Sequence, residues 1–303
     1  MQDPELSHEG WSSPRTPREH LWELTRDDWI AVVKGAYSRF GEVQLTDRAA
    51  ALAYYGFLSL FPALLVAVAA LALLGSYPET YNAIIDTLRD AAPGTAVDTI
   101  DSALRDALRA RSPGSLLGIG VIVAFITASG AVGASIRALE AINETSESAH
   151  FVRSNLTRLW LTLALMALFL IVFASLVLAG PIFNGIADAA GISASGRDLV
   201  SLLRYPVGML ALLGATLLLF SQGPAATHRR LSEHLPGAFL AAALWVLASL
   251  GFSAYVSHFS TYNATYGTLG AIVVLLVWLY VCSLAVLIGA LFNHELERVR
   301  EAH

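Results

Sequence analysis

The sequence predicts an all-α integral membrane protein, a polytopic bundle of six transmembrane helices. Hydrophobic residues occupy 55% of the 303 positions and charged residues only 14%, which is too apolar for a water-soluble domain. The chain also contains six uncharged stretches, each long enough to cross a hydrocarbon core of about 30 Å. These stretches are continuous rather than alternating, which favours helices that satisfy their own backbone hydrogen bonds over transmembrane strands.

The six predicted spans lie within residues 46–294, between an N-terminal segment (1–45) and a short tail (295–303). We place the spans at about 49–75, 115–140, 156–180, 200–221, 236–258 and 268–292. The middles of these spans contain no ionisable residue, whereas a transporter that couples to protons or sodium ions usually needs a carboxylate near the midplane. The sequence therefore disfavours ion-coupled transport.

Lysine and arginine residues near the spans predict the orientation of the bundle. Thirteen of the 19 lie in the N-terminal segment, the tail and the two loops on the same side, and six lie on the opposite side. Because cytoplasmic loops carry the excess of positive residues, we expect both termini in the cytoplasm. The first 45 residues lack the short apolar core and small-residue cleavage site of a signal peptide.

An amphipathic helix is predicted before the first span. Its apolar residues recur at three- and four-residue spacing: Trp29, Val32, Val33, Ala36, Tyr37 and Phe40. The pattern is typical of a helix lying in the membrane interface. A soluble amphipathic helix packed under the bundle would produce the same pattern, so both interpretations stay open.

The first loop outside the membrane, residues 77–113, is too long for a simple turn. Apolar residues repeat with helical spacing at 81–88 and again at 97–108, and Pro93 and Gly94 separate the two pieces. The loop therefore predicts amphipathic helices that form a hairpin on the outer surface.

The cytoplasmic end of the second span offers the first candidate for substrate binding. Arg137, Glu140 and Asn143 follow one another at helical spacing. Arg137 can pair with Glu140 or Glu144, and it can also meet a lipid phosphate. A snorkelling arginine with an ion-pair partner explains the same residues without a ligand.

Two further places combine aromatic and polar side chains. In the first span, Tyr54, Ser59 and Pro62 predict either a simple kink or a polar groove that faces the bundle interior. At the outer end of spans five and six lie Tyr255, Tyr262, Asn263, Tyr266 and Gly267. An aromatic belt explains the tyrosines, whereas Asn263 and Gly267 indicate a tight connection, at the mouth of a cavity.

Small residues predict close helix contacts and a hinge. Gly130 and Gly133 can loosen the second span as a hinge, although tight packing explains them as well. Gly289 lies four residues after Ala285 in the sixth span, a spacing that permits close helix contact.

Enzymatic and nucleic-acid functions find no support in the sequence. No nucleophile and base, metal-binding helix or phosphate loop occurs at motif spacing, so we predict no catalytic residue, metal site or cofactor. Cys282 is the only cysteine. The net charge of −5 and the dispersed basic residues disfavour nucleic acid as a partner.

Four segments carry a family resemblance: AAALAYYGFLSLFPALL (49–65), SIRALEAIN (135–143), LPGAFLAAALW (235–245) and YVSHFSTYNATYGTLGAIVVLLVWLY (255–280). With them the chain resembles the YihY/virulence-factor BrkB family of bacterial inner-membrane proteins, formerly named ribonuclease BN, over roughly residues 29–296. Residues that match family motif positions are Tyr54, Ser59, Pro62, Arg137, Asn143, Pro236, Gly237, Tyr255, Tyr262, Asn263, Tyr266, Gly267 and Gly289.

The resemblance implies a function in the cell envelope, at the bacterial inner membrane. The leading hypothesis is a transporter or flippase of lipids or other amphipathic molecules, with membrane lipids as partners. The alternative is a non-transporting membrane scaffold for envelope proteins, as a homo-oligomer or with protein partners. The old ribonuclease name fits poorly, because no carboxylates or histidines cluster for metal-assisted cleavage.

Overall fold

All elements with defined bounds in a computed structural model of the chain are helices. The structure describes residues 24–73, 81–82, 85, 97–98, 101–102, 105–106, 113–144, 151–177, 193–221, 231–258 and 263–302. Within these residues the α-helices are α1 (Arg26–Glu42), α2 (Leu45–Leu73), α3 (Pro113–Ile142), α4 (Phe151–Val177), α5 (Ala194–Ser221), α6 (Leu235–His258) and α7 (Asn263–Glu301). A 3-10 turn, Leu231–His234, leads into α6.

The described part of each predicted span lies in one helix, from α2 to α7. Three segments are long and apolar enough to cross a membrane: Gly118–Ile142, Leu231–Phe252 and Ile272–Glu301. Two further apolar segments are shorter, Leu156–Ile171 and Pro206–Ser221. The prediction of an all-helical membrane protein is confirmed, and the count of six spans stays a prediction.

Most of the apolar surface of these three segments is exposed. Only 33% of the apolar window in Gly118–Ile142 is buried, and the share falls to 17% in Ile272–Glu301. Large side chains such as Ile122, Leu163 and Leu247 are more than half exposed. An apolar surface of this extent is expected where the bundle is surrounded by acyl chains rather than by water.

Helix α7 is central to the bundle because it packs along α6 and α2 and also contacts α1 and α3. Helix α2 packs along α3, and α4 packs on α3 and α5. A cluster of buried apolar side chains joins these helices near the end of the bundle at which α1 lies, which we call the α1 end. Leu45, Leu139, Leu161, Leu287 and Leu291 are fully or almost fully buried there.

Helix α1 begins with a reciprocal capping box. The Thr25 hydroxyl accepts a hydrogen bond from the Asp28 backbone N–H at 3.3 Å, and the Asp28 carboxylate accepts one from the Thr25 N–H at 2.7 Å. These bonds satisfy backbone donors that the first turn of a helix leaves free. Helix α1 ends at Glu42, and only Val43 and Gln44 connect it to α2, with Gln44 in the left-handed region at φ 50°.

Helices α6 and α7 approach each other most closely where two glycines face each other. A Cβ on Gly237 would clash with the carbonyl oxygen of Gly289, and a Cβ on Gly289 would clash with the carbonyl oxygen of Gly237. One turn beyond Gly289, the Asn293 amide accepts a hydrogen bond from the Gly237 N–H at 2.7 Å and donates one to the His234 carbonyl at 3.0 Å. Asn293 thus caps the start of α6 from the neighbouring helix.

The tight connection predicted at the outer end of spans five and six is not where the sequence placed it. Asn263, Tyr266 and Gly267 lie in the first two turns of α7, so Asn263 begins a helix and Gly267 continues it. Tyr255 lies in α6, and Tyr262 falls outside the described residues. The glycine was read as a turn residue, but a glycine inside a long helix costs only about 1 kcal/mol, which the rest of the helix offsets.

Parts of the first loop are described, and their backbone is helical. The Tyr81 hydroxyl contacts the backbone carbonyl of Asp101 at 3.0 Å, and the Arg105 guanidinium lies 5.0 Å from the centre of the Tyr81 ring. Residues near 81 and near 101 therefore pack together. The bounds of these helices lie outside the described residues, so the predicted hairpin stays a prediction.

The contact between the two glycines predicts the effect of a single methyl group. Gly289→Ala is expected to lower the stability of the bundle by about 1–3 kcal/mol, because α6 and α7 must separate to admit the Cβ. The matched control is Gly251→Ala in α6, where a Cβ meets no atom within 4 Å. Unfolding in detergent micelles followed by circular dichroism measures both variants, and equal stability of the two would contradict the close approach.

Candidate functional site

A buried guanidinium joins three helices at the α1 end. The Arg39 side chain is 6% exposed and forms salt bridges with Glu144 at 2.8 Å and with Glu295 at 3.3 Å. It also donates hydrogen bonds to the Ile142 carbonyl at 3.1 Å and to His294 Nε2 at 2.6 Å. One side chain of α1 thus holds the end of α3 and the last third of α7.

The contacts of His294 define its tautomer. Arginine can only donate, so His294 Nε2 accepts the hydrogen bond from Arg39, and the ring proton lies on Nδ1. Nδ1 faces the Asn143 side-chain oxygen at 3.3 Å, and the Asn143 amide donates to the Leu139 carbonyl at 2.9 Å. Asn143, a predicted binding residue, therefore belongs to an internal relay of hydrogen bonds with a neutral histidine.

A small cavity adjoins this relay. Its lining is made of Leu139, Asn143, Phe220, His234, Ala290, Asn293 and His294. The volume of about 10 Å³ is the space of one water molecule. A cavity of this size cannot hold an amphipathic substrate, so this polar cluster supports the fold.

A second group of charged residues lies at the edge of the bundle, where α2, α3 and α4 meet. We call Arg48, Arg137 and Arg158 the arginine rim. Arg48 donates to the Val43 carbonyl at 2.7 Å and to the Arg137 carbonyl at 3.3 Å. The Arg137 side chain is exposed. Arg48 and Arg137 therefore lie at the same level of the bundle.

Arg158 reaches deeper along α3 than the other two arginines. Its Nε donates to the Ser129 carbonyl at 2.8 Å, and its guanidinium fills the space of the missing side chain of Gly133, with Cζ 2.8 Å from where a Cβ would lie. Gly133 precedes Arg137 by four residues. At a rise of about 1.5 Å per residue, the Arg158 guanidinium lies about 6 Å further along α3 toward the bundle than the backbone of Arg137.

No carboxylate in the described part of the chain lies within salt-bridge distance of the arginine rim. Glu144, a predicted partner of Arg137, pairs with Arg39 instead. Glu140 is half-buried. Next to the rim, α4 exposes Leu156, Trp160 and Leu163. The rim thus combines positive charge with an apolar surface that faces the lipid.

Among the described residues, the two polar residues of the groove predicted in the first span make only local contacts, and the groove stays a prediction. Tyr54 is more than half exposed, and the Ser59 hydroxyl bonds back to the Tyr55 and Gly56 carbonyls at 2.9 Å. Pro62 is buried. The ring of Tyr55 covers Gly130, so this glycine is a packing position. Gly133 is likewise covered, by Arg158.

Sequence reasoning missed Arg39, His294, Glu295 and the depth of Arg158. His294 and Glu295 were placed beyond the last span, and Arg39 was counted only as a positive residue for orientation. The available signal was two ionisable residues directly after Asn293, at the end of a long apolar run. Arg158 was placed at the start of a span, although an arginine side chain extends over more than a helical turn.

These features define the class of protein: an α-helical membrane protein with an apolar outer surface and a charged cluster and arginine rim at one end. The family model described as Virulence factor BrkB matches residues 36–303. The chain belongs to this family, as its sequence resemblance implied.

Individual relatives cover most of the chain. The ribonuclease-like protein YfkH of Bacillus subtilis (strain 168) is 30% identical over 271 residues, which are 89% of this chain and 96% of YfkH. The UPF0761 membrane protein VV0203 of Vibrio vulnificus is 27% identical over 86% of this chain and 80% of its own length. No solved structure matches the chain.

The buried salt bridges predict a large effect of removing Arg39. Arg39→Met is expected to lower the free energy of unfolding by about 3–5 kcal/mol, because among the described residues Glu295 stays buried with only the exposed Arg298 to pair with. Arg26→Met, at the exposed start of the same helix, is expected to change it by less than about 0.5 kcal/mol. Titration with sodium dodecyl sulfate in mild detergent measures both.

A double variant separates the buried charge from a general disturbance of packing. Arg39→Met with Glu295→Gln is expected to recover part of the loss, because no uncompensated carboxylate remains. If Arg39→Met and Arg26→Met unfold at the same concentration of sodium dodecyl sulfate, the stabilising role inferred for Arg39 is wrong.

Proposed function

We propose that the chain is a transporter or flippase of lipids or other amphipathic molecules, and that the arginine rim receives their anionic head groups. One observation carries this proposal: the half-buried Arg158 guanidinium pairs with no carboxylate among the described residues. A positive side chain at the lipid boundary costs several kcal/mol unless an anion or water compensates it.

The chemistry of the rim favours a phosphate-bearing head group. Guanidinium groups bind phosphate through paired hydrogen bonds, and the rim offers them on three helices. Arg158 uses Nε for the Ser129 carbonyl, which orients its remaining donors. Acyl chains would lie against the exposed side chains of α4 next to the rim, such as Leu163.

The two levels of the rim support movement rather than static binding. A head group that passes from the Arg48 guanidinium, which lies at the Arg137 carbonyl, to the Arg158 guanidinium advances about 6 Å toward the middle of α3, which is about one helical turn. The Tyr55 ring lies on Gly130, a further three residues along. Beyond Arg158, a head group on this route would therefore next meet an aromatic ring.

A flippase assay tests the proposal. Arg158→Gln is expected to slow the movement of a fluorescent phosphatidylglycerol across liposome membranes by about tenfold, because it removes a charge-assisted contact worth about 1.5–3 kcal/mol. Arg158→Lys, which keeps the charge, should retain part of the rate. Lys34→Gln, which removes one exposed positive charge from α1, is the control and should move lipid at the wild-type rate.

Two results would contradict the proposal. Wild-type protein that leaves the labelled lipid in its original leaflet would exclude transport of this lipid class. Arg158→Gln and Arg137→Gln variants that both keep the wild-type rate would exclude the arginine rim from the route.

We also propose that the protein lies in the bacterial inner membrane with both termini and the arginine rim on the cytoplasmic side. The excess of positive residues on that side supports this orientation. Alkaline phosphatase fused after His303 is expected to be inactive, and the same enzyme fused after Gly94 is expected to be active. An active fusion after His303 together with an inactive fusion after Gly94 would show that the orientation is the reverse.

A further inference from the structure

Helix α1 has three distinct faces. Asp28, Val32 and Arg39 lie on one side of the helix and are buried against the bundle. What we call the apolar flank consists of Trp29, Ile30, Val33 and Tyr37, which are 38–86% exposed. On the other side of the buried face, an exposed polar flank is formed by Asp27, Lys34, Ser38 and Glu42. At 100° per residue, the buried face lies between the two flanks.

Helix α1 crosses the bundle steeply. Trp29 stacks on Phe292 with ring centres 6.2 Å apart, Gly35 meets the Glu295 carboxylate, and Arg39 reaches Glu295 at 3.3 Å. These contacts span eleven residues of α1, a rise of about 15 Å, and four residues of α7, a rise of about 4.5 Å. Helix α1 also contacts α2 only slightly, although two residues connect them. If α7 crosses the membrane, α1 runs roughly parallel to its surface.

The same contacts give the direction in which the apolar flank faces. Trp29, on this flank, contacts Phe292, whereas Gly35, on the other side of the buried face, contacts Glu295. Phe292 lies three residues nearer to the apolar part of α7, and Glu295 lies nearer to its charged end with Arg298 and Arg300. The apolar flank therefore points along α7 toward its apolar, membrane-spanning part. The polar flank points toward the charged end of α7.

We infer that α1 is embedded in the surface of the lipid bilayer, with its apolar flank among the upper acyl chains. The flank continues the lipid-facing surface of the spans, and it includes Trp29 and Tyr37, whose side chains favour the interface. Arg39 ties α1 to α7 and α3, so the depth of the helix is fixed relative to the spans. This inference does not depend on transport.

Spin labels on adjacent residues test the inference in the full chain. In a Cys282→Ala background, Val33→Cys and Lys34→Cys form one pair, and Tyr37→Cys and Ser38→Cys form another. Each pair compares neighbouring positions on the apolar and polar flanks. Each variant carries a nitroxide in nanodiscs of phosphatidylethanolamine and phosphatidylglycerol, where oxygen collides with labels in lipid and a nickel chelate collides with labels in water.

The expected result is a difference within each pair. Labels at 33 and 37 should collide with oxygen at least threefold more often than with the nickel chelate, and labels at 34 and 38 should show the reverse. Equal access to the nickel chelate within both pairs would place α1 in water and overturn the inference. Labels at 33 and 37 that are shielded from both reagents would place a protein partner or second copy on the flank, which would also overturn it.

Discussion

The salt bridges of Arg39 join the ends of three helices at one buried guanidinium. Helix α1 is joined to α2 by only two residues, contacts α2 slightly and packs mainly on α7. The guanidinium contacts the end of α3 and the charged turn of α7 at the same time. A buried charge of this kind is stable only while its partners stay in place. Arg39, Glu295 and the neutral His294 therefore determine together where the three helices end relative to one another.

Contacts between the spans depend on a different constraint. Acyl chains are as apolar as leucine side chains, so burial of apolar surface contributes little to helix association within a membrane. The bundle relies instead on close approach and polar contacts. Gly237 and Gly289 bring two backbones together, and the Asn293 amide then bonds across the same contact. Glycines that look flexible in the sequence are thus among the most tightly packed positions.

The helices could be predicted from the sequence because each depends on local properties, namely length, apolar character and the absence of charge. Gly289, which the spacing of small residues placed at a close helix contact, lies against Gly237. The charged cluster could not be predicted, since Arg39 and Glu295 are separated by 256 positions and no periodicity connects them. Gly267 was misread as part of a connection, because a glycine signals a turn and a helix interior alike until its neighbours are known.

The contact between Arg158 and Gly133 couples the side chains that these two positions can accept. The guanidinium occupies the volume in which any other residue at 133 would place its side chain. A larger residue there would displace a cation toward the lipid instead of merely crowding a helix contact. Variation at this glycine would therefore alter the electrostatics of the membrane edge, although glycine itself carries neither charge nor side chain. A larger side chain at 133 should accordingly be accepted when Arg158 is replaced by a smaller residue at the same time, and not when Arg158 is kept.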